Sequence, residues 1–383
     1  MVVIGLFLRE NKVIWPLQTD DLEDSMSRPT QITIDINALQ NNLAQVRLLA
    51  PHSAVMAMVK SNGYGHGLER VAHALKGADA FGVASLEEGL HLRSAGLKNP
   101  IVLMEGLFHD NEIAVAEQDD FTLVVHHLAQ LEMLEKSKTH KPFAVWLKID
   151  TGMHRLGFPL RGIEKIYQRL LKCKQVKKPI GLMTHFAESD SVDRSRTLKQ
   201  IELFETAIAH LPGQRSLANS AGVLAWPMAH ADWVRPGIML YGASPFTGHR
   251  GVEHYLQPAM MLSSELIAIH DLKQGDRVGY GGAWTCPEDM RVGVVAIGYG
   301  DGYPRHAKNG TPMLVNGHHC PLVGNVAMDM ISVDLRTQPE ARVGDPVILW
   351  GAGLPVEVVA EYSDTIAYEL LTRITQRVRV VVK

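Results

Sequence analysis

The apolar run AVMAMVK ends on Lys60, and SNGYGHG follows at once. A lysine that closes a buried strand carries a partly desolvated ammonium. Desolvation lowers its pKa and frees the amine as a nucleophile, which is what Schiff-base chemistry needs. Gly63, Gly65 and Gly67 let the backbone come close to a bulky ligand, and the Tyr64 hydroxyl can reach a phosphate oxygen. A lone lysine at a strand end ordinarily snorkels to solvent; the surrounding AMVKSNGYGHG is what argues for chemistry. Further reactive groups recur at the ends of later apolar runs. Lys148 and Asp150, then Arg155, close FAVWLKID; His185 lies in IGLMTHFA, Asn219 and Ser220 close RSLANS, and Arg235 and Gly237 lie in WVRPGIMLYG. Singly, His185 would read as a core histidine and Arg235 as a surface ion-pair member. A merely structural fold has little use for so many polar groups at strand ends.

These groups need elements to position them. From about Ala54, eight short apolar runs alternate with amphipathic stretches such as GLERVAHALKGA and TLKQIELFETAIAHL. Continuous apolar strands between helical periods imply a parallel sheet covered by helices. Eight such units predict an α/β fold, a (β/α)8 TIM-type barrel whose strand C-termini form the functional face. A doubly wound sheet competes, but no G-x-G-x-x-G opens a helix after the first strand. After about Tyr255 the texture turns β-rich, with Gly, Pro and Asn punctuation, as in TPMLVNGHH and DPVILWG; one helical stretch, PVEVVAEYSDTIAYELLTRI, interrupts it. The expected organisation is an N-terminal extension without order at 1–25, a barrel at 26–255 and a mostly antiparallel β domain at 256–383.

The chain has 383 residues, 46% hydrophobic and 21% charged, with a net charge of -3. That suits two globular domains and gives no electrostatic case for a nucleic-acid partner. Cys173, Cys286 and Cys320 lack metal or disulfide spacing and read as reduced thiols. The pairs His126–His127 and His318–His319 also lack ligand spacing, so no metal is expected. MVVIGLFL at the start is too short to span a bilayer and has no basic flank before it, so the expectation is a cytoplasmic protein without membrane attachment.

The motifs AMVKSNGYGHG, LKIDTGMHRLGF, MTHFAESD, ANSAG and VRPGIMLYG, with VGYGGAW, AIGYGDGYPR and GNVAMDM in the second domain, resemble the alanine racemase family. The likeness runs from about Thr33 to Arg379. It implies a pyridoxal 5'-phosphate enzyme that interconverts L- and D-alanine and supplies D-alanine for peptidoglycan. It also implies a homodimer with shared active sites. By this resemblance Lys60 holds the cofactor as a Schiff base and moves the α-proton on one face, and Tyr280 of the second subunit acts on the other. Tyr64, Ser220, Gly237, Ile238 and Tyr368 match phosphate-binding positions, and Asn219 lines the cofactor pocket. His185 lies beside the cofactor ring and Arg235 on its pyridine nitrogen. Arg155 meets the substrate carboxylate, and Lys148 falls where the family carries a carbamylated lysine. Tyr299, Arg305, Met328 and Asp329 match the substrate entrance.

Arg235 is a permanent cation that cannot accept the pyridine proton, so the electron sink stays shallow and side reactions are curbed. His154 inside GMHR and Ala327 before Met328 depart from residues that some family members carry. Two other readings stand beside this one. A broad-specificity amino-acid racemase of the same fold would accept serine or basic residues. A non-catalytic cofactor-carrying barrel would lack the second domain.

Overall fold

The computed structural model describes residues 28–383; the expected extension at 1–25 lies outside the described residues. Eight parallel strands close on themselves: β2 (Ala54–Met58), β3 (Ala80–Val83), β4 (Ile101–Leu103), β5 (Phe121–Val125), β6 (Val145–Asp150), β7 (Gly181–Met183), β8 (Arg215–Ser216) and β9 (Trp233–Val234). Each pairs with the next, and β9 returns to β2. Around them lie α1 (Ile36–Leu49), α2 (Leu68–Ala74), α3 (Leu86–Ser94), α4 (Glu112–Gln118), α5 (Leu128–Lys136), α6 (Ile163–Lys172), α7 (Ser195–Ile208) and α8 (Ser220–Ala225). This is the TIM-type barrel expected from the eight apolar runs. Every residue of β3, β4 and β7 is buried, as a strand covered on both faces requires.

The last two barrel strands are much shorter than their apolar runs. After Val234 the chain turns at Pro236, which has no N–H for a ladder, and enters a 3-10 turn at Ile238–Tyr241. RSLANS likewise keeps two residues of strand before Asn219 caps α8, its side chain accepting from the Gly222 N–H at 2.9 Å. Polar groups thus leave the strand where the barrel opens.

The second sheet contains β1 (Gln31–Ile34), β10 (Met260–Leu272), β11 (Met290–Val295), β12 (Pro312–Val315), β13 (His318–Val323), β14 (Ile331–Asp334), β15 (Pro346–Trp350) and β16 (Arg379–Val382). The long β10 pairs with both β11 and β15, so six strands form an antiparallel ring. β1 and β16 extend it, parallel to one another. The expected division put residues 31–34 with the barrel; they lie in the second sheet. A four-residue strand carries no local sign of which sheet it joins.

The helical stretch after Pro355 is two helices, α9 (Val356–Tyr362) and α10 (Ala367–Thr372). Ser363 ends the first, and Asp364 has φ 46° in the intervening turn. α10 returns to the barrel mouth, where the Tyr368 ring lies 6.2 Å from that of Tyr64.

Candidate active site

Lys60 follows β2 at the barrel mouth. The backbone beyond it is unusual: Ser61, Asn62, Gly63 and Tyr64 have φ between 52° and 59°. Three of these are not glycine, and each such residue costs on the order of 1 kcal/mol or more. The turn is held by side chains that sequence inspection passed over. One Glu88 oxygen accepts from the Ser61 N–H at 2.6 Å and the other from the Ala84 N–H at 2.8 Å. Asn62 Oδ1 accepts from the Leu68 N–H at 2.9 Å.

Below the turn, the Tyr64 and Tyr241 rings stack at 4.6 Å, and Tyr241 donates its hydroxyl proton to the Met58 carbonyl at 2.9 Å. His66 completes the stack, 4.7 Å from Tyr241, with Nδ1 2.8 Å from the Tyr64 carbonyl. Burial pushes the His66 imidazole down from 6.5 to about 4. An unfolded chain takes that proton near 6.5, so between these values it binds more protons than the folded chain. Stability should therefore fall as pH drops through this window, by roughly 3 kcal/mol in all. Urea unfolding measured across that range should show a shallower slope for His66→Gln, by up to about 1.4 kcal/mol per pH unit. An unchanged slope would remove His66 from the account.

Lys60 opens into a cavity of about 840 Å³. Of the predicted residues, it brings together Lys60, Tyr64, Lys148, Arg155, His185, Asn219, Ser220, Arg235, Gly237, Ile238 and Tyr368. Four cations (Lys60, Lys148, Arg155 and Arg235) face two carboxylates, Glu105 and Glu369. The balance favours an anionic ligand. Burial pushes the Tyr64 phenol up to about 12, so it remains a donor at neutral pH. The Gly237 N–H bonds to Ser220 Oγ at 2.8 Å, and a Cβ at Gly237 would meet the Tyr64 hydroxyl at 2.4 Å. Glycine is required there, and the space it leaves lies among hydroxyl and amide groups. Donors grouped in this way suit an anion.

Arg235 is buried and held through both terminal nitrogens. It donates to Ser216 Oγ at 2.6 Å, to the Thr184 carbonyl at 2.6 Å and to the Leu217 carbonyl at 3.2 Å. Burial pushes it down to about 10, which leaves it charged at neutral pH. Its fourth contact is His185 Nδ1 at 3.3 Å. A guanidinium cannot accept, so Nδ1 is the acceptor and the ring is neutral. Burial first, and then the cations Arg235, Lys148, Arg155 and Lys60, hold His185 well below its usual pKa. The Lys148 ammonium is also destabilised, to about 8, by burial and then by Arg235, Arg155 and Lys60. Arg155 follows a loop organised by Asp150, whose Oδ1 accepts from the amides of Gly152, Met153 and His154.

Tyr280, Tyr299, Arg305, Met328 and Asp329 are not among the residues lining this cavity. They lie in the second domain, and Tyr280 is 72% exposed. Tyr299 and Met328 share one platform: the Tyr299 amide donates to the Ala327 carbonyl at 3.0 Å, and the Gly300 amide to the Met328 carbonyl at 2.8 Å. Buried Asp301 braces it between Arg28 at 3.0 Å and Arg377 at 3.3 Å. Sequence reading missed Met104 and Glu105 in the lining, although both end the run PIVLMEG and the strand-end rule would have found them. Nothing in the sequence marked Ile366 or Thr372.

A closed barrel with a lysine after β2, a cationic mouth and helix α10 of the second domain lining that mouth defines a (β/α)8-barrel protein whose cavity suits an anionic ligand beside an amine. Family models for the N-terminal and C-terminal domains of alanine racemase match residues 34–245 and 259–382. The chain belongs to the alanine racemase family. The alanine racemase of Shewanella loihica (strain ATCC BAA-1088 / PV-4) is 56% identical over 344 residues, 90% of this chain and 96% of that protein. That of Coxiella burnetii (strain RSA 493 / Nine Mile phase I) is 51% identical over 359 residues, 92% and 98% of the two chains. The crystal structure of biosynthetic alanine racemase from Pseudomonas aeruginosa superposes with a TM-score of 0.91 at 44% identity, covering 93% of this chain and 99% of that one.

Proposed function

We propose that this chain interconverts L- and D-alanine as a homodimer, with pyridoxal 5'-phosphate in the barrel mouth and one base from each subunit. The observation that carries the reading is the cavity, where an amine, a donor cradle and the Arg235–His185 pair share one space. When bound, the cofactor supplies an electron sink for the charge left on the α-carbon after proton removal. Tyr64, Ser220, Gly237, Ile238 and Tyr368, with Asn219 beside them, hold its phosphate. Lys60 holds its reactive carbon and moves the α-proton on one face through Nζ. Arg235 would donate at the ring nitrogen without being able to take its proton, and neutral His185 would lie beside the ring. Tyr280 Oη, supplied by the second copy of the chain, moves the proton on the opposite face. The exposure of Tyr280, outside the cavity of its own barrel, supports that sharing. The two working units divide near residue 255. We place the enzyme in the cytoplasm, supplying D-alanine for peptidoglycan, as the family resemblance implies.

Arg155 receives the substrate carboxylate, and Lys148 orients it as a carbamate. With its pKa near 8, Lys148 presents a neutral amine to a useful extent at neutral pH. Its nitrogen lone pair bonds to the carbon of carbon dioxide and one N–H proton leaves to solvent, giving an anion among the cations that disfavoured the ammonium. Protein equilibrated with 13C-bicarbonate should show one carbamate resonance that Lys148→Ala lacks, with kcat/KM lowered about tenfold to a hundredfold. A resonance that survives in the variant would show that Lys148 is a plain amine.

In this reading Tyr299 and Met328, outside the cavity of their own barrel, come with Tyr280 from the second copy and narrow the entrance to a methyl-sized side chain. A racemisation assay over a panel of L-amino acids should rank alanine first, with serine slower by at most about a hundredfold. Lysine or arginine as the better substrate would overturn the alanine reading.

A further inference from the structure

Tyr280 stands on a glycine loop. Gly279, Gly281 and Gly282 have φ of 74°, 69° and 56°, a left-handed backbone that glycine adopts freely and gives up at high entropic cost. Such a loop is a poor mount for a group that must meet a proton within a fraction of an ångström. Two side chains compensate by gripping its carbonyls. Asn325 Nδ2 donates to the Tyr280 carbonyl at 2.9 Å. Arg277 donates from Nε and Nη2 to the Gly282 carbonyl at 3.1 and 2.9 Å, and from Nη2 to the Gly281 carbonyl at 2.9 Å.

The mounts of both clamps are themselves fixed. Arg277 belongs to the ribbon Arg277–Val278 paired with Trp284–Thr285, which carries the loop. Asn325 follows Gly324, whose amide is held by Asn309 Oδ1 at 2.6 Å. Three consecutive carbonyls, from Tyr280 to Gly282, are thus tied to side chains rather than to a regular ladder.

We propose that Asn325 and Arg277 are positioning residues for Tyr280, fixing its hydroxyl on one face of the substrate α-carbon. The inference rests on the reading of Tyr280 as one of two bases. It predicts a one-sided defect. In deuterated solvent, Tyr280→Phe should slow α-proton exchange from one enantiomer far more than from the other. Asn325→Ala, Asn325→Asp (which puts a charged acceptor in place of the donor) and Arg277→Ala should slow the same enantiomer by about tenfold or more. The other enantiomer should change by less than about twofold, and Arg277→Lys, which keeps a cationic donor, should recover most of the rate.

Amide hydrogen exchange on the holoenzyme gives a readout independent of turnover. Peptides covering residues 279–283 should exchange faster in the Asn325 and Arg277→Ala variants, with the barrel unchanged. One-sided slowing together with local loosening supports the proposal. If Tyr280→Phe is one-sided but the clamp variants slow both enantiomers equally, or neither, the positioning role is overturned alone. If Tyr280→Phe slows both equally, the base assignment falls and the positioning role falls with it. Loosening that spreads through the second domain would make both clamps general stabilisers and also overturn the proposal.

Discussion

Lys60→Ala is expected to reduce racemisation to background, a loss of at least about four orders of magnitude. One substitution removes both the covalent attachment point and one of the two bases, and acid–base catalysis alone is worth about 10²–10⁴-fold. The cavity holds a second amine that makes the experiment discriminating. Lys148 lines the same space, and burial with its neighbouring cations pushes it down to about 8. Borohydride treatment of the wild-type protein followed by peptide mapping should place the cofactor on Lys60. A label on Lys148, or none at all, would defeat the assignment. The strained turn at residues 61–64 and its Glu88 anchor favour Lys60, because they fix the backbone on which its amine is carried.

Mixing two dead variants should restore activity. Lys60→Ala keeps an intact Tyr280, and Tyr280→Phe keeps an intact Lys60. If each site takes one residue from each subunit, a mixed two-fold dimer has one working site and one doubly defective site. Random exchange from equal amounts makes half the dimers mixed, so activity should approach about a quarter of the wild-type value. Subunit exchange can be followed independently with a mass-tagged partner. Full exchange without recovered activity would mean that Tyr280 serves its own subunit and that the loop reaches the mouth by another route.

Local patterns reported local structure well. The eight apolar runs each became a barrel strand, because a strand buried on both faces has no freedom to be polar. TPMLVNGHH became the hairpin β12–β13, with Asn316 and Gly317 at φ 51° and 81° as a two-residue turn demands. Ten of the eleven predicted residues in the cavity converge there because strand ends of a barrel necessarily share a mouth, and the eleventh, Tyr368, comes from α10 of the second domain. The supports were harder to see. Glu88 acts through two backbone amides, one of them 27 residues away, and Asn325 holds a carbonyl 45 residues away. Neither bond leaves a periodic or spacing signature. The split between α9 and α10 was hidden for a different reason: the turn at residues 363–365 interrupts an apolar period without a proline or glycine to mark it.

β1 sits between β10 and β16, paired residue for residue with Arg379–Val382 on one side and Met260–Ser263 on the other. Those partners are separated from it by most of the chain. During synthesis at roughly 5–20 residues per second, Gln31–Ile34 therefore waits for tens of seconds before both neighbours have been made. The barrel strands all lie between residues 54 and 234, so the barrel can close on the ribosome while this strand is still unpaired. For that interval its bare edge is open to pairing with other nascent chains. The second sheet can therefore be completed only once its last strand exists, which leaves β1 open to mispairing until then, whatever the stability of the finished fold.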